Sequence, residues 1–133
     1  MRIACLLVPE LPLVAALRSH PELKGKPFVV ASTNELQEEI LAVSPKAHRL
    51  GIRSYHTPET ALFQCSSLVT CRVSEEESRS TKRALLDVAL SFSPRSELTP
   101  PSGSYFASEA SVLMDVSNCQ NFFKSELSLA KTL

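Results

Sequence analysis

Side chains that could bind a metal ion or act as nucleophiles are scattered singly along this sequence. The chain has four cysteines, with no CxxC pair among them: Cys5, Cys65, Cys71 and Cys119. It has three histidines, with no i, i+4 pair among them: His20, His48 and His56. Structural zinc sites use closely spaced pairs of these residues. The spacing therefore favours buried free thiols over a zinc site.

Two groups of carboxylates are candidates for a metal site. Glu75–Glu77 follow Ser74 and match the start of a helix, where acidic side chains interact favourably with the helix dipole and adjacent residues point in different directions. This run is predicted to be a solvated first turn rather than a metal cluster. Asp115 lies within an apolar strand-like run, SVLMDVS. It is predicted either to face water at a strand edge or end, or to be a ligand.

The elements that must position these groups alternate along the chain. Ile3–Val8 (IACLLV) is a continuous apolar run, typical of a central strand buried on both faces, and it stops at Pro9. Three further strands are predicted: Pro27–Ala31, Ile40–Val43 and Ser111–Ser117. The polar stretch STNELQEE between the second and third strands is predicted to be a hairpin or a longer surface loop. Ser96–Ser104 is predicted to be a flexible turn region.

Capping residues predict the helices. A short helix is predicted over Leu11–Ser19, and another begins at Pro45 and ends at Gly51, where a positive φ is expected. Three side chains are predicted to cap later helices: Thr57, Ser74 in a capping box with Glu77, and Ser125. The last helical pattern stops at Leu133 without a C-cap, which suggests the first part of a longer protein.

Composition sets further limits. The chain has 133 residues, 44% of them hydrophobic, and its 14 Lys or Arg balance its 14 Asp or Glu. This composition is typical of one globular domain. A net charge of zero counts against autonomous binding of nucleic acid. No apolar run approaches the length of a membrane span, so a cytoplasmic location is expected.

Five blocks of sequence together carry a family resemblance: HPELKGKPFVVA, AVSPKAHRLGIRS, TPETALFQCSSL, LLDVALSFSPRSE and VLMDVS. From Arg2 to Phe123 the chain resembles the N-terminal part of Y-family DNA polymerases of the DinB/UmuC type. The resemblance implies an α+β fold, with a ferredoxin-like palm of antiparallel or mixed sheet, flanking helices and a small inserted fingers subdomain. It places the first palm strand at residues 1–8, the fingers at 9–68 and the rest of the palm at 69–133.

In that family, carboxylates in a HxDxDxFF motif hold the catalytic metal ions. Counted back without gaps from PELKGKP, the two Asp positions fall on Leu7 and Pro9, and neither can bind a cation. Glu10 lies one residue past the second position. A one-residue shift along a strand turns a side chain to the other face.

The family's second acidic motif, SIDEAxLDV, ends on a position that matches Asp115. Without a gap, its Asp-Glu pair falls on Ala110 and Ser111. With a two-residue insertion, Glu109 survives as one ligand. The ungapped register is preferred because the alternation from Ser111 to Ser117 needs no bulge. In either register this site has fewer carboxylates than the family's motif.

The residues that would face the nucleotide also depart from the family. The triphosphate-binding Tyr and Arg of SYEARxxG are replaced by Pro45 and His48, so the bidentate grip of Arg on phosphate is lost or reduced to an imidazole. The Gly and Met of GVRSGM become Tyr55 and His56, which would crowd the templating pocket or represent surface variation. The resemblance implies seven nucleotide- or template-facing positions: Pro45, His48, Arg49, Gly51, Arg53, Tyr55 and His56.

Loss of these groups is typical of ImuB-like proteins, Y-family relatives that lack the catalytic acids and act as adaptors in mutagenic repair. The resemblance then implies no cofactor, weak DNA binding by this chain, and two partners of the longer protein: an error-prone replicative-type polymerase and the sliding clamp. No membrane partner is expected.

Two alternatives remain. One is an active, divergent Y-family polymerase, in which Mg²⁺ is held by a rebuilt set of carboxylates: Glu10, Glu97, Glu109 or Asp115. The other is an unrelated small α/β binding domain.

Overall fold

The computed structural model describes residues 1–32, 38–99, 109–119 and 122–133. The chain divides into two compact units, residues 1–9 with 82–133, and residues 10–81. The described residues form strands β1 (Ile3–Val8), β2 (Phe28–Ala31), β3 (Ile40–Val43), β4 (Val69–Arg72), β5 (Ser96–Leu98) and β6 (Ala110–Asp115). They form helices α1 (Leu11–Ser19), α2 (Pro45–Arg49), α3 (Pro58–Gln64), α4 (Glu75–Phe92) and α5 (Glu126–Thr132).

The sheet of the first unit is antiparallel, in the order β1-β6-β5. Its β1–β6 ladder runs without a bulge from Ile3 opposite Asp115 to Val8 opposite Ala110. Alternate residues of β6 are buried, and two of them, Val112 and Met114, pack with Ala89 of α4 and Leu129 of α5. Helices therefore cover one face of this sheet.

The prediction that β1 is buried on both faces is wrong. Ala4 and Leu6 pack against the core, whereas Ile3 and Leu7 are 58% and 57% exposed. Because side chains alternate between the faces of a strand, a continuous apolar run still exposes every second residue when only one face is covered. Cys5 is consequently exposed, contrary to the prediction of a buried thiol.

Two of the other three cysteines are buried, as the spacing predicts, and the third is half-buried. Cys71 and Cys119 are buried, Cys65 is half-buried, and all four thiols are free. Burial raises the pKa of the Cys71 thiol, and the nearby charges of Glu77 and Glu22 raise it further. Cys71 is therefore held in the unreactive thiol form.

Ser96–Leu98 is a strand, not part of a turn. This short segment pairs with Val112–Met114 of β6 in antiparallel register. It lacks the apolar alternation that predicts strands, so the tertiary pairing decides its conformation. Residues 100–104 of the predicted turn lie outside the described residues, as do residues 33–37 of the predicted β2–β3 link.

The sheet of the second unit has the order β3-β2-β4, with β2 antiparallel to β3 and parallel to β4. All four residues of β2 are buried. Phe28 and Val30 pack with α1 residues, and Val29 packs with residues of α2 and α3. The central strand of this unit thus separates two apolar clusters. The palm–fingers boundary implied at residues 68 and 69 stays a prediction.

The predicted helix caps are confirmed. Thr57 and Ser125 each accept a hydrogen bond from a backbone N–H of the first helical turn. The Ser74 Oγ accepts from the Glu77 N–H, and Glu77 accepts from the Ser74 N–H in return. The hydrogen bond from the Ser74 backbone lowers the pKa of Glu77, with a smaller contribution from Ser19. Among the described residues, no helix is both long and apolar enough to cross a membrane.

Ser44 connects three segments of the second unit. Its side chain is buried, and its Oγ accepts hydrogen bonds from the N–H groups of Phe28 (2.9 Å) and Ala47 (3.3 Å). The same hydroxyl donates to the Lys26 carbonyl at 3.3 Å. One side chain therefore caps α2 and fixes the start of β2.

Ser44→Ala leaves the buried Phe28 N–H without its acceptor and removes the α2 cap. We expect the free energy of unfolding to fall by about 1–3 kcal/mol, measured by urea denaturation. Ser66→Ala, at an exposed serine after α3, is the control and should change it by less than about 0.5 kcal/mol. Equal effects of the two variants would contradict this assignment.

Candidate functional site

The positions that match the family's metal ligands meet on two neighbouring strands. Leu7 lies directly opposite Ser111, and Val8 lies opposite Ala110. Leu7 shares the uncovered face of the sheet with Ser111, whose hydroxyl is 2.6 Å from the Thr99 hydroxyl. The structure thus pairs two predicted positions, Leu7 and Ser111, on the uncovered face, whereas the side chain of the adjacent Ala110 is buried on the opposite face. None of these side chains is a carboxylate.

The remaining acidic candidates of this unit lie elsewhere. Glu109 is exposed and immediately precedes β6. Glu97 is exposed on β5, opposite Leu113. Asp115 lies at the far end of β6, opposite Ile3, four residues from Ser111 and thus roughly 13 Å along the strand. Strand geometry therefore separates Asp115 from the Leu7–Ser111 pair.

Asp115 contacts two neighbouring residues at the end of β6. Its Oδ1 accepts a hydrogen bond from the Ser117 N–H at 3.0 Å, and its Oδ2 lies 3.6 Å from Arg95 Nη1. Its side chain is 19% exposed. Hydrogen bonds from the Ser117 side chain and backbone lower the pKa of Asp115, and the Arg95 charge lowers it further. The carboxylate is therefore engaged with its own strand end. The predicted position at a strand end is observed, but the side chain contacts Ser117 and Arg95 rather than facing water.

Pro9 and Glu10 lie at the junction between the two units. Pro9 ends the first segment of one unit, and Glu10 occupies the N-cap position of α1 in the other. Across residues 1–32, 38–99, 109–119 and 122–133, no three His, Cys, Asp or Glu side chains are grouped to hold a metal ion. The side chains at the matched ligand positions do not fit Mg²⁺, which prefers carboxylate oxygens.

The predicted nucleotide-facing residues lie on α2 and the turn that follows it. Pro45 is the first residue of α2, and His48 and Arg49 are exposed near its end. The Arg53 guanidinium donates to the carbonyls of His48 (2.7 Å) and Ile52 (2.9 Å). Arg53 therefore closes the turn through main-chain oxygens, with part of its hydrogen-bonding capacity already used.

His56 and Tyr55 form the outer part of this turn. His56 Nδ1 accepts a hydrogen bond from the Arg53 N–H at 3.1 Å. The Tyr55 and His56 rings meet edge to face, with centroids 4.6 Å apart, and Tyr55 is 81% exposed. The backbone bond fixes the imidazole, and the phenol ring projects into solvent beside it.

Gly51 ends α2 with a positive φ of +90°, as predicted. A Cβ at this position would lie 2.6 Å from Gln64 Nε2. That amide donates to the Leu50 carbonyl at 3.0 Å and so joins the ends of α2 and α3. The sequence predicted the glycine conformation but not its second role, which is to leave room for the Gln64 amide.

Two residues of this segment were not identified as notable from the sequence. Gln64 lacks a motif, since its partner is a backbone carbonyl 14 residues away. Phe63 is 87% exposed, although an aromatic residue beside other apolar residues is usually expected in the core. The helical period provides a usable signal, because Pro58 and Ala61 face inward and leave Phe63 off that stripe.

The fold corresponds to the palm and fingers of Y-family DNA polymerases, and a match to a family model shows the membership independently. The chain belongs to the impB/mucB/samB family, whose model matches residues 12–133. The predicted resemblance to the N-terminal part of Y-family DNA polymerases is therefore confirmed. No curated protein matches the chain significantly.

Solved structures share the fold at low sequence identity. The crystal structure of DinB from Sulfolobus solfataricus matches with a TM-score of 0.68 and 16% identity, over 98% of this chain and 37% of that one. An insertion ternary complex of Dbh DNA polymerase gives 0.70 and 15%, with the same coverages. A post-insertion binary complex of Dbh gives 0.74 and 14%, again over 98% and 37%. The chain thus spans little more than a third of these polymerases.

Asp115→Asn removes a charge whose pKa is lowered in the folded state. A lowered pKa stabilises the fold above the ordinary value of 3.8, and the stabilisation disappears as the pH falls through the folded-state pKa. We expect the variant to be less stable than the parent at pH 7, with the difference shrinking as the pH falls below 3.8, in urea titrations. Glu97→Gln on the neighbouring strand is the control. A pH-independent difference would contradict the charge-based role.

Gly51→Ala should destabilise the second unit more than Gly25→Ala does. Both glycines have positive φ, which costs about 1–2 kcal/mol for alanine, but a Cβ at Gly25 meets nothing within 4 Å. At Gly51 the methyl group also displaces the Gln64 amide, which adds about 0.5–1.5 kcal/mol. Thermal or urea unfolding of both variants measures the difference. The internal check is the Gln64→Ala background, in which the amide is already absent and Gly51→Ala should cost no more than Gly25→Ala does.

Proposed function

We propose that this chain is the palm and fingers of a catalytically silent Y-family protein that acts as an adaptor in translesion DNA synthesis. The observation that carries the proposal is the β1–β6 register, which places Leu7 opposite Ser111 and Val8 opposite Ala110. In two-metal phosphoryl transfer, clustered carboxylates hold both cations between the attacking and leaving oxygens. The leucine, alanine and serine side chains at the matched positions of these two strands cannot replace them.

The regular ladder also argues against a rebuilt acidic site. A bulge would be needed to move Glu109 into the position of Ser111, and the register is continuous from Ile3 to Val8. Asp115 is held by Ser117 and Arg95 at the other end of β6. The loss of the triphosphate-binding Tyr and Arg, replaced by Pro45 and His48, supports the same conclusion from an independent element.

The partners are proposed for the whole protein. DNA binding follows from membership of a polymerase family, and an error-prone replicative-type polymerase and the sliding clamp follow from the ImuB-like pattern. The chain spans 37% of the matched polymerases, so most contacts with these partners would involve sequence other than residues 1–133. No metal cofactor is proposed.

The test is single-nucleotide incorporation on a primed template by the protein as its host cell produces it. Mg²⁺ or Mn²⁺ is supplied, no other polymerase is present, and binding to the primed template is measured in parallel. We expect binding without incorporation. Incorporation that Glu109→Ala or Asp115→Ala abolishes would overturn the proposal and establish a divergent, Mg²⁺-dependent polymerase.

Restoring the carboxylates tests the same argument on residues 1–133. The double variant Leu7→Asp, Ser111→Glu places two carboxylates on directly opposed positions of one sheet face. We expect it to gain a Mn²⁺ site, detected by electron paramagnetic resonance, that the parent chain lacks. The neutral pair Leu7→Asn, Ser111→Gln is the matched control. Equal Mn²⁺ binding by the parent and the restored variant would contradict the proposal.

A further inference from the structure

The strand register places nine side chains on the face of the antiparallel sheet that the helices leave uncovered. Residues at directly opposed positions of paired strands point to the same face. Arg95 and Thr99 flank β5 and are hydrogen-bonded through the main chain to Asp115 and Ser111. Three rows therefore run from β1 across β6 to β5, and together they define the uncovered face: Ile3, Asp115 and Arg95; Cys5, Leu113 and Glu97; Leu7, Ser111 and Thr99. All nine residues belong to one compact unit.

An apolar column runs along β1 on this face. Ile3 and Leu7 are each more than half exposed, and Cys5 lies exposed between them. Leu113 lies opposite Cys5 and extends the apolar surface onto β6. The column is roughly 13 Å long, since Leu7 is four residues beyond Ile3 on an extended strand. Single exposed apolar residues are common, but a contiguous group of them indicates a surface that binds a partner.

The charges beside this column favour a cationic partner. Arg95 lies 3.6 Å from Asp115, so these two charges balance each other. Glu97 is exposed, and in the described part of the chain it forms no ion pair. Glu109 is also exposed, immediately before β6. The uncompensated charge is therefore negative, which disfavours the phosphates of nucleic acid and favours the side chains of Lys or Arg.

The size of the face selects among protein partners. Three strands about 4.8 Å apart, with a column roughly 13 Å long, offer only a few hundred Å², whereas a stable dimer buries about 800 Å² on each partner. A second copy of the chain would also bring the same negative charge to the contact. A single α-helix is about 10 Å in diameter, which matches the width of the two apolar strands, and its positions i and i+7 are about 10 Å apart. Area and charge together favour one helix with basic residues.

We propose that the uncovered face binds an amphipathic, basic helix of a protein partner. Apolar side chains at positions i, i+3, i+4 and i+7 of that helix pack against Ile3, Cys5 and Leu7, and a Lys or Arg of the helix pairs with Glu97. The partner then covers this side of the sheet as α4 and α5 cover the other. The inference rests on the proposed function in one respect, since a catalytically active palm would need this face for metal ions and DNA.

Two synthetic peptides of about 18 residues test the proposal with the 133-residue chain. Both have Leu at positions i, i+3, i+4 and i+7, and the polar face has Lys in one peptide and Glu in the other. Fluorescence anisotropy of the labelled peptides measures binding. We expect the Lys peptide to bind more tightly than the Glu peptide. Glu97→Lys should weaken binding of the Lys peptide and strengthen binding of the Glu peptide, each by about 2- to 10-fold.

Leu7→Ala removes part of the apolar column. We expect it to weaken binding of the Lys peptide by about 3- to 30-fold, since three carbon atoms no longer contact the helix. Leu127→Ala is the matched control, because Leu127 is 65% exposed in the same unit but lies on α5. It should leave binding unchanged, and circular dichroism should show that both variants are folded.

The Cys5 thiol reports where the peptide binds. Cys65→Ser removes the half-buried thiol, which leaves Cys5 exposed and Cys71 and Cys119 buried. In this variant a saturating concentration of the Lys peptide should protect Cys5 from alkylation by iodoacetamide, followed by mass spectrometry. An equal concentration of the Glu peptide should protect it less.

Four outcomes would each overturn the proposal: no binding of the Lys peptide, equal binding of the two peptides, equal effects of Leu7→Ala and Leu127→Ala, or full alkylation of Cys5 in the bound state. The assay contains no DNA, nucleotide or metal ion. Its failure would leave the incorporation result unaffected, so the failure of this inference and the failure of the proposed function are distinguishable.

Discussion

Side-chain alternation along paired strands decides what the antiparallel sheet can do. In the β1–β6 ladder, every residue of Ile3–Val8 has a fixed partner, and a shift of one residue would exchange the two faces. Val112 and Met114 are buried against helices, so the alternating residues Ser111 and Asp115 lie on the opposite face of the sheet. The packing of the core therefore determines which residues occupy the uncovered face.

The uncovered face has a composition unlike that of a metal site. Ile3, Cys5 and Leu7 are exposed on this face, and Leu7 occupies a position where the family has a metal-binding carboxylate. Apolar side chains cannot replace the hydration shell of a cation, and they give a phosphate backbone no charge to contact. The polymerase fold therefore does not depend on carboxylates at this face, since strand pairing and the helix-covered core hold the sheet together.

In the second unit, hydrogen bonds from side chains to the main chain maintain the conformation of the segment from α2 to α3. Ser44, Arg53 and Gln64 each bond main-chain groups, so the turn between α2 and α3 is held by polar contacts that do not involve a nucleotide. Such contacts are independent of phosphate-binding residues such as those replaced by Pro45 and His48. The shape of the segment therefore does not require nucleotide binding, and two aromatic rings, Tyr55 and Phe63, are exposed on its outer surface.

By itself the sequence determined the family, the α+β class, the helix caps and the conformation of Gly51, because caps and left-handed turns depend on a few adjacent residues. It also identified Leu7, Ala110 and Ser111 by alignment to motifs. Only the tertiary structure decided that Leu7 faces Ser111, that β1 exposes one face and that Ser96–Leu98 is a strand. Those features depend on pairing between residues about 15 to 110 positions apart, and no local pattern encodes which strand will be the partner.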